Sequence, residues 1–91
     1  MLLKLEKEHD VSIEEIEEAF FNSIEPYPID KRINHQTNPL TQYFIAPTFS
    51  GRYLKVIFII RAQQISVKSA YEPSPIDLVK YMEAGGKLPW V

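Results

Sequence analysis

The chain has no cysteine, only three glycines and two histidines, and a single tryptophan among its 91 residues. Without cysteine there are no disulfides, thiolate zinc sites or cysteine nucleophiles, and a reducing compartment is permitted. Gly51 stands alone and Gly85-Gly86 lie near the end of the sequence, so no glycine-rich loop is present to cradle a phosphate. His9 and His35 are isolated, with no second histidine at helical spacing, which leaves no metal constellation. No Ser-His-Asp arrangement and no basic-aromatic signature of a sequence-specific RNA module appears. The longest apolar run, Val56 to Ile60, falls far short of the roughly 20 residues that span a bilayer. The opening MLLKLEKEHD turns acidic too soon for a secretory signal. These absences lead us to expect a cytoplasmic protein with no cofactor, no metal and no membrane contact.

What is present reads as one globular domain over residues 1–91, with 45% apolar and 24% charged residues. The net charge of −2 hides a lopsided distribution. Residues 1–30 carry nine acids against Lys4 and Lys7, whereas residues 31–91 carry eight Lys/Arg against Glu72, Asp77 and Glu83. Solvated helix faces account for such runs; so does a basic sheet able to meet phosphate, with an acidic side on which a basic partner docks. The overall sign argues against strong, indiscriminate nucleic-acid binding.

Local signals give an order of elements. Leu2 to Glu8 reads as a short helix. Ser12 opens a second one, with Glu15 placed to complete a capping box and Ile13, Ile16 and Phe20 on one stripe. Glu14, Glu15, Glu17 and Glu18 cover the remaining faces near the positive end of the helix dipole. This helix is expected to cover one face of a sheet. From Asn22 to Thr41 the periodicity dissolves among Pro26, Pro28 and Pro39, which points to a hidden edge strand or a functional loop. Gln42 to Ala46 reads as a strand ended by Pro47. Ser74-Pro75-Ile76-Asp77 starts a last helix, with Leu78, Val79 and Met82 as its apolar side and Gly85-Gly86 as its stop. Trp90 is expected to tuck back onto the core.

Tyr53 to Tyr71 carries the strongest signal, a β-hairpin of two runs rich in β-branched and aromatic residues. With Ala62-Gln63 at the tip, Ile60 faces Ile65, Phe58 faces Val67 and Val56 faces Ser69. A four-residue loop of the same parity gives the same facing. Leu54, Val56, Phe58 and Ile60 then share one face with Ile65 and Val67. Tyr53, Lys55, Ile57, Ile59 and Arg61 share the other with Ser66 and Lys68. The expected fold class is α+β: two N-terminal helices, a small antiparallel sheet of three to four strands and one C-terminal helix.

Three short motifs occur in an order that resembles the BrnT-type toxins of bacterial toxin–antitoxin pairs. Glu8-His9-Asp10-Val11-Ser12-Ile13-Glu14-Glu15 resembles that family's Lys-His-Gly-Val-Ser-Phe-Glu-Glu segment. Gly51-Arg52-Tyr53-Leu54 resembles its Gly-Arg-x-Leu strand entry, and Ile65 to Tyr71 resembles its last strand, which ends Ser-Ala-Arg. Asp77 and Tyr81 fall where the family has a Glu and a Tyr. The likeness covers most of residues 5–82. It departs at Glu8 for lysine, Asp10 for glycine and Tyr71 for arginine, and the usual N-terminal strand is reduced at most to Leu2-Leu3.

The resemblance implies a RelE-like fold and a metal-independent endoribonuclease, neutralised by a cognate antitoxin in a hetero-oligomer. Such cleavage needs a base for the 2′-hydroxyl, a cation for the crowded phosphate and an acid for the leaving oxygen. Arg61, Lys68, Tyr71 and His9 are the candidate catalytic residues, with His35 a second candidate base. Arg52, Lys55 and Tyr81 are candidates for holding RNA. Each has a plainer reading. Lys55, Arg61 and Lys68 also suit solvated strand positions, Arg52 suits an acid beside its turn, and His9 suits a helix end. Tyr71 and Tyr81 also suit half-buried packing. With cations missing at Glu8 and Tyr71, the alternative function is a catalytically inactive relative acting as a protein-interaction module.

Overall fold

The computed structural model describes residues 2–5, 10–30 and 40–89. Among these the elements are β1 (Leu2–Leu5), α1 (Ile13–Asn22), β2 (Gln42–Pro47), β3 (Tyr53–Arg61), β4 (Gln64–Tyr71) and α2 (Pro75–Glu83). The fold class is α+β. The four strands form one sheet in the order β1-β4-β3-β2, antiparallel except where β1 runs parallel to β4. No helix among the described residues is long and apolar enough to cross a membrane.

The first expected helix is corrected: Leu2–Leu5 is a strand, in register with Gln64 to Val67. Four apolar-rich residues cannot be told from a helical turn by periodicity. The outer edge of β4 decides, because its backbone N–H and C=O groups need partners. The rest of that expected helix, residues 6–8, lies outside the described residues, as do His9, residues 31–39 and Trp90.

The hairpin turns at Ala62-Gln63, both with positive φ (47° and 68°), the backbone of a two-residue turn that matches strand twist. Ile60 faces Ile65 and Phe58 faces Val67, as the sequence register requires. Beyond that point the register shifts: Ile57 pairs with Ser69 and Val56 with Ala70, leaving Lys68 as the extra residue of a β-bulge. The expected pairing of Val56 with Ser69 is therefore off by one. The shift puts apolar Ala70 opposite Val56 in the core and turns Ser69 away, a better match of polarity to burial.

Each face of the sheet carries one helix. On the first, α1 packs Ile16, Ala19 and Phe20 against Phe44, Val56, Phe58 and Val67. The Phe20 ring meets Phe44 at 4.6 Å and Phe58 at 5.3 Å, both edge to face. Burying each such side chain contributes about 1.5–3 kcal/mol. Tyr27 closes the cluster at 5.5 Å from Phe58. On the second face, Tyr43, Lys55 and Ile57 lie below α2, whose Tyr81 ring sits 5.7 Å from Tyr43.

The apolar side expected for α2 is also revised. Tyr81 is fully buried, whereas Val79 and Met82 are 55% and 49% exposed. Gly85, at φ 91°, ends the helix, and the chain folds back so that the Tyr81 hydroxyl donates to the Lys87 carbonyl at 3.2 Å. This return of the chain gives the phenol a backbone partner inside. Among the described residues the long connection before β2 contributes one bridge, Ile29 to Gln42, flanked by Asp30 N–H to Thr41 O and Tyr43 N–H to Pro28 O.

Candidate functional site

The two helices start with the same device. In α1 the Ser12 hydroxyl accepts from the Glu15 N–H at 3.1 Å, and Glu15 Oε1 accepts from the Ser12 N–H at 3.0 Å. In α2 the Ser74 hydroxyl accepts from the Asp77 N–H at 3.2 Å, and Asp77 Oδ2 accepts from the Ser74 N–H at 2.9 Å. Each box satisfies two backbone donors that the first helical turn leaves open.

Each capping carboxylate has a second oxygen, and each gives it to a cation at the start of β3. Arg52 Nη1 donates to Glu15 Oε2 at 2.9 Å, and Lys55 Nζ to Asp77 Oδ1 at 3.1 Å. Arg52 is engaged further, through Nε to Glu72 Oε2 at 2.7 Å and Nη1 to the Asp10 carbonyl at 3.2 Å. The two cations, Arg52 just before β3 and Lys55 near its start, thus fasten α1 and α2 to opposite faces of the sheet. The Ser12 backbone bond and the Arg52 guanidinium hold the Glu15 carboxyl below the usual range. Hydrogen bonds that Arg52 donates to Glu15 and then to Glu72 raise the pKa of its guanidinium. Burial pushes Asp77 upward, but the Ser74 backbone bond and the Lys55 ammonium outweigh it and leave its carboxyl lowered.

Around Lys55 lies an open groove of about 450 Å³ between the sheet and α2, lined by Asp30, Tyr43, Asp77 and Lys80 among others. Lys55 Nζ sits 5.1 Å from the Tyr43 ring centroid and 5.8 Å from that of Tyr71, a cation between two aromatic faces. The bulge makes this possible, since it sets Tyr71 opposite Lys55. Among the described residues two lysines and two carboxylates line the groove, and together they carry no excess of positive charge for a phosphate.

Lys55 and Tyr71 are thus brought together, with Tyr81 in the layer beneath; burial, the largest effect on its phenol, raises its pKa. Arg52 sits in its own cluster with Glu15 and Glu72. Arg61 is exposed at the hairpin end, paired in register with Gln64. Lys68 occupies the bulge. His9 and His35 lie outside the described residues. Sequence reading gave Arg52 an acid beside its turn but did not single out Glu15, which had been assigned to capping alone. It also passed over Tyr43 and Lys80, whose approach to Lys55 depends on pairing across strands and on the docking of α2.

Among the described residues no three histidine, aspartate or glutamate side chains come together as a metal site. Compared with known protein families, with curated proteins and with solved structures, the chain matches none.

Proposed function

We propose that this chain is a protein-interaction module on a BrnT-like, RelE-like plan, acting in the cytoplasm by docking on a partner rather than by cutting RNA. Three features support the likeness in plan. Asp10 has φ 61°, left-handed backbone that favours glycine, where the BrnT-type pattern has glycine. Leu2–Leu5 forms a strand where that pattern has one. Arg52, from the Gly-Arg-x-Leu entry, bonds to Asp10 and Glu15 in the first motif, so the quoted segments hold one another.

The observation that carries the non-catalytic reading is the commitment of Arg52 and Lys55 to carboxylates. Glu15 and Glu72 already neutralise Arg52, and Asp77 neutralises Lys55, so a phosphate approaching either cation meets carboxylates in place, and displacing them would loosen a helix from the sheet. Tyr81 is sealed in the core, where its ring cannot reach an RNA. Purified protein incubated with total RNA is expected to leave it intact, and expression without any partner is expected to leave growth unchanged. Cleavage lost on mutating a cation of the hairpin would overturn the reading.

The exposure of Arg61 favours a second reading, an endoribonuclease toxin held by an antitoxin. There Arg61 and Lys68 grip the phosphate and Tyr71 serves the leaving oxygen. Arg61→Ala or Lys68→Ala would then abolish cleavage and relieve growth arrest with the melting temperature unchanged.

A further inference from the structure

One surface left open by the fold lies beside α1. A groove of about 500 Å³ is floored by Phe20, Ile60 and Ile65, with Phe21 at its lip and Glu17 and Glu25 along its rim. Phe21 is 80% exposed and meets Phe49, 67% exposed, edge to face at 5.8 Å. The Phe49 N–H donates to Glu18 Oε1 at 2.9 Å, so the loop bearing this ring is tied to the same helix. Glu14, Glu17 and Phe21 recur at i, i+3 and i+7 and share the outer side of α1. An exposed aromatic pair continuous with an apolar groove and bounded by carboxylates is the composition of a docking surface.

Charge and backbone together select the occupant. Among the described residues no lysine or arginine lines the groove, and residues 1–30 carry nine acids against two lysines. A partner with positive charge is steered here, and an arginine can stack on the Phe21 ring. Ile60 and Ile65 pair with each other inside the sheet, so their backbones offer no ladder to an added strand. A helix brings its own backbone bonds and needs only a groove. We propose that this groove receives a basic amphipathic helix of a partner protein. Its apolar face seats against Phe20, Ile60 and Ile65, and its Lys/Arg residues lie over Glu17, Glu25 and Phe21. This rests on the interaction-module reading and adds the partner's chemistry.

The test is a titration of the isotope-labelled full chain, followed by amide chemical shifts. The probe is a synthetic amphipathic helix of leucine and arginine; the controls are the same peptide with glutamate for arginine, and one with serine for leucine. The arginine–leucine peptide is expected to shift Glu17, Phe21, Glu25, Ile60 and Ile65, and both controls to bind about tenfold more weakly or worse. The exposed changes Glu17→Lys with Glu25→Lys, and separately Phe21→Ser, are expected to weaken binding by a similar factor without lowering the melting temperature. Shifts elsewhere, equal binding of the glutamate peptide, or binding untouched by both variants would overturn the proposal. So would a dimer in sedimentation that Phe21→Ser dissolves, which would make a second copy the occupant. RNA cleavage by the same preparation would sink the interaction-module reading instead, and the peptide titration would still report on the groove.

Discussion

Glu15 and Arg52 meet at 2.9 Å through one carboxylate oxygen, while the other oxygen of Glu15 caps its own helix. The pair joins the start of α1 to the entry of β3 across 37 residues of sequence. Replacing Arg52 with methionine is expected to raise the Glu15 pKa toward the ordinary carboxylate value and to lower the melting temperature. A carbon-detected NMR titration reads the first effect directly. An unmoved Glu15 titration would show that Ser12 alone sets it.

The second clasp behaves as its counterpart. Lys55→Met keeps much of the aliphatic packing between Tyr43 and Tyr71 but removes the bond to Asp77, at an expected cost of about 2 kcal/mol. Urea unfolding measures it through the midpoint at constant slope. A loss under about 0.5 kcal/mol would mean that Asp77 serves only its own helix cap.

Both clasps weaken in acid. The Glu15 and Asp77 carboxyls titrate lower folded than unfolded, so their contribution is complete above about pH 4, the unfolded range, and fades as pH falls through their folded values. Stability is expected to drop as pH falls through that range, with α1 and α2 loosening over the same interval. The double change Glu15→Gln with Asp77→Asn is expected to flatten the acid limb of the stability profile. An unaltered acid limb in the double variant would refute the linkage.

Tyr81 and Gly86 form a matched pair. A Cβ on Gly86 would run into the Tyr81 ring. Gly86→Ala is therefore expected to destabilise, and Tyr81→Phe to cost about 1 kcal/mol through the lost bond to Lys87. Combining them should be less than additive, because relaxation around one relieves the other. Thermal unfolding that leaves Gly86→Ala at the parent midpoint would contradict the close approach.

Asp10 offers a test in the opposite direction. Its left-handed backbone costs an ordinary L-residue about 1–2 kcal/mol. Glycine removes that strain but adds about 0.5–1 kcal/mol of chain entropy on folding. Asp10→Gly is expected to come out slightly stabilising in chemical denaturation. A clear loss of stability would mean that the aspartate side chain holds the turn.

Features set by neighbours in sequence were legible beforehand, and those set by distant chain were not. Ser12 with Glu15, and Ser74 with Pro75 and Asp77, announce helix starts because capping is a local bond. The hairpin register reads correctly from the tip as far as Phe58, where each pair follows from the one before. It fails at Lys68, because a bulge answers to the burial of Ala70 rather than to any turn signal. β1 was read as helix since its ladder is on β4, about 60 residues on. The cations were found as residues but not as clasps. The acids that hold Arg52 come from 37 and 20 residues away, one of them already assigned to a cap.

The extra residue at Lys68 reverses the rule for which positions point inward along β4. Nearer the turn the odd-numbered residues Ile65 and Val67 are interior, and past Lys68 the even-numbered Ala70 is. A ladder continued through Lys68 without the bulge would set Ser69 opposite Val56 in the core and Ala70 opposite Lys55, carry Tyr71 to the buried side opposite Leu54 and strip the ammonium of Lys55 of one of its two aromatic walls. A strand that looks like the plainest part of the molecule thus decides, by where it absorbs its extra residue, which side chains wall the lysine.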